Sequence, residues 1–382
     1  MADNQPGIPP EGGVDRFFDN RAAYLMFTTA TNEKAVVAER IGSELEMVGP
    51  GESALRLFDA GMGDASLLTQ LMRRMHTVFP HIPWLVVGKE ISIEDLRLAL
   101  SRMPDRFFEH PEMVFVVTNM SYREAPSLTP SGENAADLNW IESPLEGSTA
   151  DDFNQQIHEL FDGLAYAWEV VTSSRTGNPL YARPSVLVVY RKDRQFLLKR
   201  VIPAPGESDG LYDLIVASQP YRARTTAERK TKMVLVPLAR SLAPGGRMIV
   251  VHAHGDDPGL EIIRNVWPDE DPFQTGRAEL LAEARRQLSS PGDADLIYPE
   301  VSDEEAIFRY DLHAMPSERT EHIGTGLTLA AWNAAAYVAQ IDEPRLSAAM
   351  ASGEYVKATR EVLERYGVVW FNDEAYVIDR SV

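Results

Sequence analysis

Leu55-Arg56-Leu57-Phe58-Asp59-Ala60-Gly61-Met62-Gly63-Asp64-Ala65-Ser66-Leu67-Leu68 is the stretch that decides the fold. A short apolar run ends in an acid and passes through two glycines one residue apart. It then becomes a helix with apolar residues at Leu67, Leu68, Leu71, Met72 and Met75. The pattern predicts strand, tight turn, helix. Bare backbone at Gly61 and Gly63 allows close approach of a ligand, and the helix N-terminus offers unpaired N–H groups beside it. A nucleotide-like ligand is expected at this turn.

Working outward, Trp84-Leu85-Val86-Val87-Gly88-Lys89-Glu90 reads as a second buried strand ending in an acid, with a helix starting at Ser92. In a doubly wound sheet Glu90 stands at the tip of strand two, where a carboxylate accepts from the ribose hydroxyls of a nucleoside. Met113 to Met120 is strand three. About 90 residues then separate it from the next clear strand, far beyond an ordinary connection. This insertion holds a loop rich in Ser, Pro and Gly (Ser121 to Ala150) and a helix from about Asp151 to Ser173. An expected β-hairpin follows, Val186–Tyr190 with Gln195–Val201. A lid over the site and a homodimer contact both account for it.

Leu211 to Tyr221 resumes the sheet as strand four, and Pro220 turns the chain out of the ladder, presenting Gln219 where open α/β sheets bind ligands. A helix over 226–242 leads through Pro244-Gly245-Gly246 to strand five, Arg247–His252. Helices are expected near 259–267, 276–288, 321–339, 344–352 and 356–366. An edge strand is expected over Ala306–Leu312 and a closing antiparallel strand over Val368–Asp379.

At the other end, residues 1–13 carry little to bury and read as a disordered tail. Phe17, Phe18, Tyr24, Leu25 and Phe27 lie on an expected helix. Glu33 to Val48 forms another, with Ala35, Val36, Ile41, Leu45 and Val48 on its apolar stripe and Thr31 or Asn32 as its cap. On pattern alone the aromatics are core and Glu33 is an acid suited to the positive end of a helix.

Composition narrows the partners. The 382 residues carry 57 acidic against 37 basic side chains, a formal charge of −20, with no long basic run. That field repels nucleic acid and anionic lipid and tolerates a cationic small molecule. Zero cysteines exclude disulfides, thiolate metal sites and cysteine nucleophiles. No signal-like start or 18-residue apolar run occurs, so a cytoplasmic protein without a membrane partner is expected.

An NAD-type turn would want a third glycine where Ser66 stands. Asp59-x-Gly61-x-Gly63, the acid ending strand two, the Asp213-Leu214-Ile215 strand and the Pro-Gly-Gly turn together resemble the class I S-adenosylmethionine-dependent methyltransferases. The resemblance covers residues 55–120 and 211–252. It implies an α/β, Rossmann-like, doubly wound seven-stranded sheet with an α+β insertion between strands three and four. The implied division is 14–120 and 209–382 for the two halves of the methyltransferase domain, with 121–208 inserted.

The chain is further similar to the histamine N-methyltransferase type of small-molecule enzyme. That resemblance implies Glu33 as the acid on the substrate amine, Gln219 at the end of strand four, and Asn372 from the Phe371-Asn372 pair. Tyr24 and Tyr221 join the expected acceptor set. It implies S-adenosylmethionine as cofactor, with Asp59, Gly61 and Gly63 at the methionine portion, Glu90 on the ribose, Asn119 and Ser121 after strand three near the adenine, and Ser218 beside the sulfonium. The insertion and the residues after Glu90 depart from the family.

The expected chemistry is methyl transfer to a small-molecule acceptor, an amine nitrogen, with Glu33 and Gln219 as catalytic residues and no metal. A peptide, hydroxyl or carboxylate acceptor and a non-catalytic binding protein are the alternatives. In-line displacement needs alignment and exclusion of water rather than a triad. His252 and His254 after strand five offer another base, although a histidine pair with no third ligand reads as structural.

Overall fold

A computed structural model describes residues 21–132, 137–173, 179–314 and 324–382. Phe17, Phe18 and the expected tail lie outside the described residues. The chain opens with α1 (Arg21–Ala30) and α2 (Glu33–Gly42). It continues through β1 (Leu55–Asp59), α3 (Ser66–Val78), β2 (Trp84–Lys89), α4 (Ile93–Ser101), α5 (Met103–Glu109) and β3 (Met113–Thr118). The inserted segment supplies β4 (Asn139–Leu145), α6 (Ala150–Glu159), α7 (Phe161–Ala167), β5 (Val170–Thr172), β6 (Pro179–Tyr181) and β7 (Ser185–Arg191). Then come β8 (Tyr212–Ser218), α8 (Ala227–Lys230), a π turn (Thr231–Leu235), α9 (Val236–Arg240), β9 (Leu242–Ala253), α10 (Pro258–Val266) and α11 (Arg277–Gln287). The chain closes with β10 (Leu296–Ile297), α12 (Asp303–Ala306), β11 (Ile307–Asp311), α13 (Thr325–Val338), α14 (Glu343–Ser352), α15 (Glu354–Tyr366) and β12 (Trp370–Arg380).

The fold is α/β, Rossmann-like and doubly wound. One sheet runs in the order β10-β12-β9-β8-β1-β2-β3-β7-β4, with β11 also paired to β12. β3, β2, β1, β8 and β9 are mutually parallel, and β12 closes the sheet antiparallel to β9. The order reverses between β1 and β8, so a crevice opens there at the carboxyl ends of the strands. Helices α2 to α7 cover one face and α8, α9 and α11 the other, each over its own buried apolar cluster. α1 and α10 join α13 and α15 around a third cluster that includes Trp332 and Phe371.

Helix α3 is pinned as its period predicts: Leu67, Leu68, Leu71, Met72 and Met75 are all buried. At roughly 1.5–3 kcal/mol for each large apolar side chain, this burial fixes the glycine turn against the sheet. On α2 the buried stripe is Val37, Ala38 and Ile41, with Ala35 exposed. Asn32 occupies the cap position without capping; its Oδ1 accepts from the Asp311 amide at 2.7 Å and so ties α2 to β11.

The expected hairpin is not formed. Val186–Tyr190 lies in β7, antiparallel to β3 and parallel to β4, so the insertion widens the sheet. Gln195–Val201 is a run of hydrogen-bonded turns rather than an extended strand. A 3-10 turn over Lys192–Arg194 continues with Leu198 N–H bonded to Arg194 O and Val201 N–H to Leu198 O. Leu198 and Val201, three apart, are buried, whereas Phe196 is 88% and Leu197 55% exposed. That spacing fits a turn of helix and not the two-residue alternation of a strand.

Two other elements differ from expectation. The helix over 151–173 breaks at Leu160 and ends at Ala167. The Pro244-Gly245-Gly246 turn is absorbed into β9, with a register shift opposite Tyr212–Leu214. Gly246 is required there, since a Cβ would lie 2.7 Å from Tyr212 O and 2.8 Å from Ala243 O.

Candidate active site

The glycine turn sits at the reversal of strand order. Gly61 N–H donates to Asp59 Oδ1 at 3.2 Å, and a Cβ on Gly61 would meet only Ser218 O, at 3.8 Å. The backbone here is open toward the tip of β8. Gly63 takes φ +55° and Ala65 φ +59°, a left-handed pair that reverses the chain into α3. Asp64 locks the turn. Its carboxylate accepts from the Ser66 amide at 3.0 Å, from Arg102 Nη2 at 2.8 Å and from Tyr24 OH at 3.2 Å. Against the cost of its burial, Ser66 and the charge of Arg102 hold Asp64 below the usual carboxylate range.

Glu90 reaches back over this turn. Oε2 accepts from Gly63 N–H at 2.9 Å, and Oε1 accepts from the Ile91 and Ser92 amides, both at 2.7 Å. Asp59 is buried beneath it, and that burial pushes its carboxyl up to about 7, with the Glu90 charge adding and the Gly61 N–H and Lys34 opposing. Lys89 and Tyr122 complete this side. Lys89 Nζ lies 5.0 Å from the Tyr122 ring, and Tyr122 OH donates to Pro220 O at 2.9 Å, linking the loops after β3 and β8.

Beyond β3 the side chains serve the insertion. Asn119 Nδ2 donates to Ala167 O at 3.2 Å and Arg183 O at 2.9 Å, and its Oδ1 accepts from Ser185 N–H at 2.9 Å. The amide is thereby fully engaged away from the glycine turn. Ser121 is exposed and donates to Glu124 Oε2 at 2.7 Å. Trp168, at the end of α7, donates its indole N–H to Glu90 O at 2.8 Å, which docks the insertion on the tip of β2.

At the tip of β8, Ser218 is buried and its hydroxyl has no hydrogen-bond partner among the described residues. Its backbone carbonyl borders the open backbone of Gly61, so this residue lies beside the glycine turn with a buried hydroxyl that calls for a partner such as water or a ligand. Gln219 follows in a left-handed conformation, φ +48°, which for a residue with a side chain costs of order 1 kcal/mol or more. Its side chain bridges the strands: Nε2 donates to Asp373 Oδ2 and Oε1 accepts from Ala253 N–H, each at 3.2 Å.

Glu33 starts α2, is 2% exposed, and lies 3.0 Å from Lys34 Nζ through Oε2. Tyr24, Phe27, Tyr310, Tyr337 and Phe371 form a chain of ring contacts, including Phe27 on Tyr337 with centroids 4.7 Å apart, and the Glu33 charge acts on Tyr24, Tyr310 and Tyr337. The structure brings Glu33, Gln219 and Asp373 together but turns Asn372 away. Asn372 Nδ2 donates to Asp256 O at 3.1 Å and Gly255 O at 3.4 Å. Side chains alternate along β12, so Asp373, one residue on, faces Gln219. Asp373 is fully buried, and its Oδ1 has no hydrogen-bond partner among the described residues. Burial and the neighbouring Glu33 charge raise its carboxyl well above the usual range.

Tyr221 points to the other face, its hydroxyl 3.3 Å from Tyr376 OH. His252 is buried beside it and pushed down to about 3 by burial and by Lys230, so it is neutral, with Nε2 3.2 Å from Glu374. His254 also faces Glu374, at 3.8 Å. Among the described residues no group of three His, Asp or Glu is arranged to hold a metal ion. No helix among them is long and apolar enough to cross a membrane. A cavity of about 550 Å³ lies elsewhere, against β4 and the turns after β7, lined by Trp140, Glu142, Phe196 and Lys199.

No protein-family model matches the chain, and no curated protein matches it in sequence. Solved structures that align with the chain include loganic acid methyltransferase with bound S-adenosylhomocysteine, at 10% identity and a TM-score of 0.39, covering 99% of both chains. A protein described as a sarcosine dimethylglycine methyltransferase from Galdieria sulphuraria aligns at 10% identity and a TM-score of 0.37, over 91% of this chain and 86% of the other. Geranyl diphosphate methyltransferase aligns at 13% identity and 0.31, over 91% and 78%. Identities and scores at this level assign no role to any residue.

Sequence reasoning missed Asp64, Tyr122, Lys34 and Asp373. Asp64 carried a signal, since an Asp in a turn accepts from the backbone N–H two residues on, here that of Ser66. Asp373 carried none, because its orientation depends on the register of β12 against β9 and β11.

Proposed function

We propose that the chain is an S-adenosylmethionine-dependent methyltransferase acting on a small-molecule amine. One observation carries the reading: the Asp59-Gly61-Gly63 turn lies at the reversal of strand order with Glu90 bonded to Gly63 N–H, beside Ser218, whose buried hydroxyl has no partner among the described residues. The residues fit the cofactor. Gly61 leaves room at the backbone, Glu90 Oε2 keeps a lone pair for a ribose hydroxyl, and Ser218 supplies a donor beside the reacting centre. When bound, the cofactor provides a methyl group already activated on a sulfonium.

The chain's own residues then have three tasks. Glu33 and Asp373, among aromatic rings, hold the acceptor as its ammonium; negative charge and ring faces both favour a cation. The acceptor's positive charge opposes the burial and the Glu33 charge that raise the Asp373 carboxyl, and so favours its ionised form, whose proton leaves to water. The nitrogen gives its proton to Asp373 Oδ1 before transfer, and Gln219, itself held by Asp373 and the Ala253 amide, orients the freed lone pair toward the methyl carbon. Asn372 serves the loop at Gly255 and Asp256 instead.

Calorimetry with S-adenosylhomocysteine tests the cofactor half, and absence of binding overturns the reading. Transfer of a labelled methyl group to an amine pool, with mass spectrometry of the product, tests the acceptor half. Labelling confined to hydroxyl or carboxyl products would reject the amine.

A further inference from the structure

On the face of the sheet opposite Asp373, a small recess lies beside Gln219 and is lined also by Tyr221, Lys230, His252, Thr275 and Gln340. It has about 10 Å³ of free space, room for a single water-sized group or one oxygen of a carboxylate. Lys230, the last residue of α8, is 2% exposed. Its ammonium donates to the Thr275 hydroxyl and lies 4.9 Å from the centre of the Tyr221 ring. Two further ammonium protons have no acceptor in those contacts.

The charges around Lys230 leave it without a partner. Glu279 and Glu374 act on it only through space, and among the described residues neither is within the 4.0 Å of an ion pair. Glu374 is occupied, accepting from the Arg277 amide at 2.9 Å and facing His252 and His254. His252 is neutral and offers no counter-charge. Burial lowers the Lys230 ammonium to about 8 even with the two glutamates opposing that shift, which shows how little local compensation it receives. An unpaired buried cation is costly unless something anionic meets it. The recess that touches it borders Gln219, the residue next to the unpaired Ser218 hydroxyl.

We infer that this recess is an anion subsite: the acceptor is an amine that also bears a carboxylate, one oxygen of which docks on Lys230 and Thr275 while its nitrogen lies across Gln219 toward Glu33 and Asp373. The inference rests on the amine-methyltransferase reading and narrows its substrate class to amino acids and related amino-carboxylates. Lys230 acts in it as a binding and specificity residue and does not touch the transferred methyl.

The test compares glycine, β-alanine and 4-aminobutyrate with methylamine, ethylamine and propylamine. Each is titrated by calorimetry into the S-adenosylhomocysteine-saturated protein and, separately, into the protein without it. At least one amino-carboxylate should bind about tenfold or more tighter than its matching amine. That ratio should fall to about one in Lys230→Met and Lys230→Gln, with S-adenosylhomocysteine affinity unchanged in both. Two neutral replacements are used because Met fills the apolar stem and Gln keeps a donor; removing a buried charge should leave the melting temperature equal or higher. Equal affinity for acids and amines, no binding of any amino-carboxylate, or a preference that survives in both variants overturns the inference. Failure of S-adenosylhomocysteine to bind counts against the methyltransferase reading alone, since the titrations without it still report on the recess.

Discussion

Glu90 Oε2 accepts the Gly63 amide proton across 2.9 Å, so the acid at the tip of β2 and the second glycine of the turn after β1 form one unit. The carboxylate proposed to bind the ribose is thus held in place by the same turn proposed to receive the rest of the cofactor. Glu90→Gln keeps the size but loses the charge that makes three amide bonds strong. The affinity for S-adenosylhomocysteine should fall about 10- to 100-fold, the effect of losing a charge-assisted hydrogen bond or two. Gly61→Val should lower it by at least as much while the protein stays folded, because a Cβ there meets nothing nearer than 3.8 Å. Calorimetry reads the affinity and a thermal melt reads the fold; undiminished binding in Gly61→Val would remove the cofactor from this turn.

Asp59 makes stability depend on pH in a defined direction. Its folded carboxyl titrates near 7, against 3.8 for the free group, so between these values the native state holds a proton that the unfolded state has released. Stability therefore falls as pH rises from about 4 to about 7 and levels above that. Asp59→Asn removes the dependence. The variant's stability relative to the natural protein should rise between pH 5 and pH 8, read as urea midpoints at each pH. The slopes contributed by Asp257 and Asp373, also raised by burial, are common to both proteins and cancel in the difference. A constant gap would mean that Asp59 is ionised throughout.

Asp373 and Asn372 separate acceptor chemistry from loop support. Asp373→Asn retains an oxygen for Gln219 but neither a negative charge nor a proton acceptor at Oδ1. It should reduce kcat/KM for an amine acceptor by about 100-fold, within the range for loss of a general base, and leave cofactor affinity intact. Asn372→Ala cuts bonds to the Gly255 and Asp256 carbonyls. It should cost about 1 kcal/mol of stability with little change in acceptor KM. Steady-state kinetics with one amine acceptor decides between them, and the reverse pattern would restore Asn372 to the acceptor pocket.

The contrast marks what the sequence could and could not disclose. The glycine turn was readable because its backbone demands particular residues at adjacent positions, and Glu90 because it ends a strand of fixed length. The parallel sheet and the closing strand followed from apolar runs punctuated by Gly, Pro and acids. Which of Asn372 and Asp373 turns toward Gln219 depends on a one-residue register set by β9 and β11, more than 60 residues away. The Gln195–Val201 stretch misled for a local reason: its apolar residues suit a strand, yet only Leu198 and Val201 are buried, a spacing that tertiary contact selects.

Asn119 shows the same limit most fully, since its partners lie 48 to 66 residues further along the chain. Near the tip of β3 it occupies a position suited to an adenine, but its carboxamide binds Ala167 O, Arg183 O and Ser185 N–H, and so fastens α7 and β7 to the central sheet. Asn119→Ala leaves the Ser185 amide and the Arg183 carbonyl without these bonds, and should cost roughly 2–4 kcal/mol. Asn119→Asp still accepts from Ser185 N–H but sets an oxygen against two carbonyls, so it should be no better, and should partly recover at low pH when the carboxyl is protonated and can donate. Urea denaturation gives the loss, and amide hydrogen exchange at Ser185 should speed up in both variants. If Asn119→Ala instead preserved stability and exchange but weakened S-adenosylhomocysteine binding at least tenfold, the residue would belong to the cofactor site and the insertion would be held by other contacts.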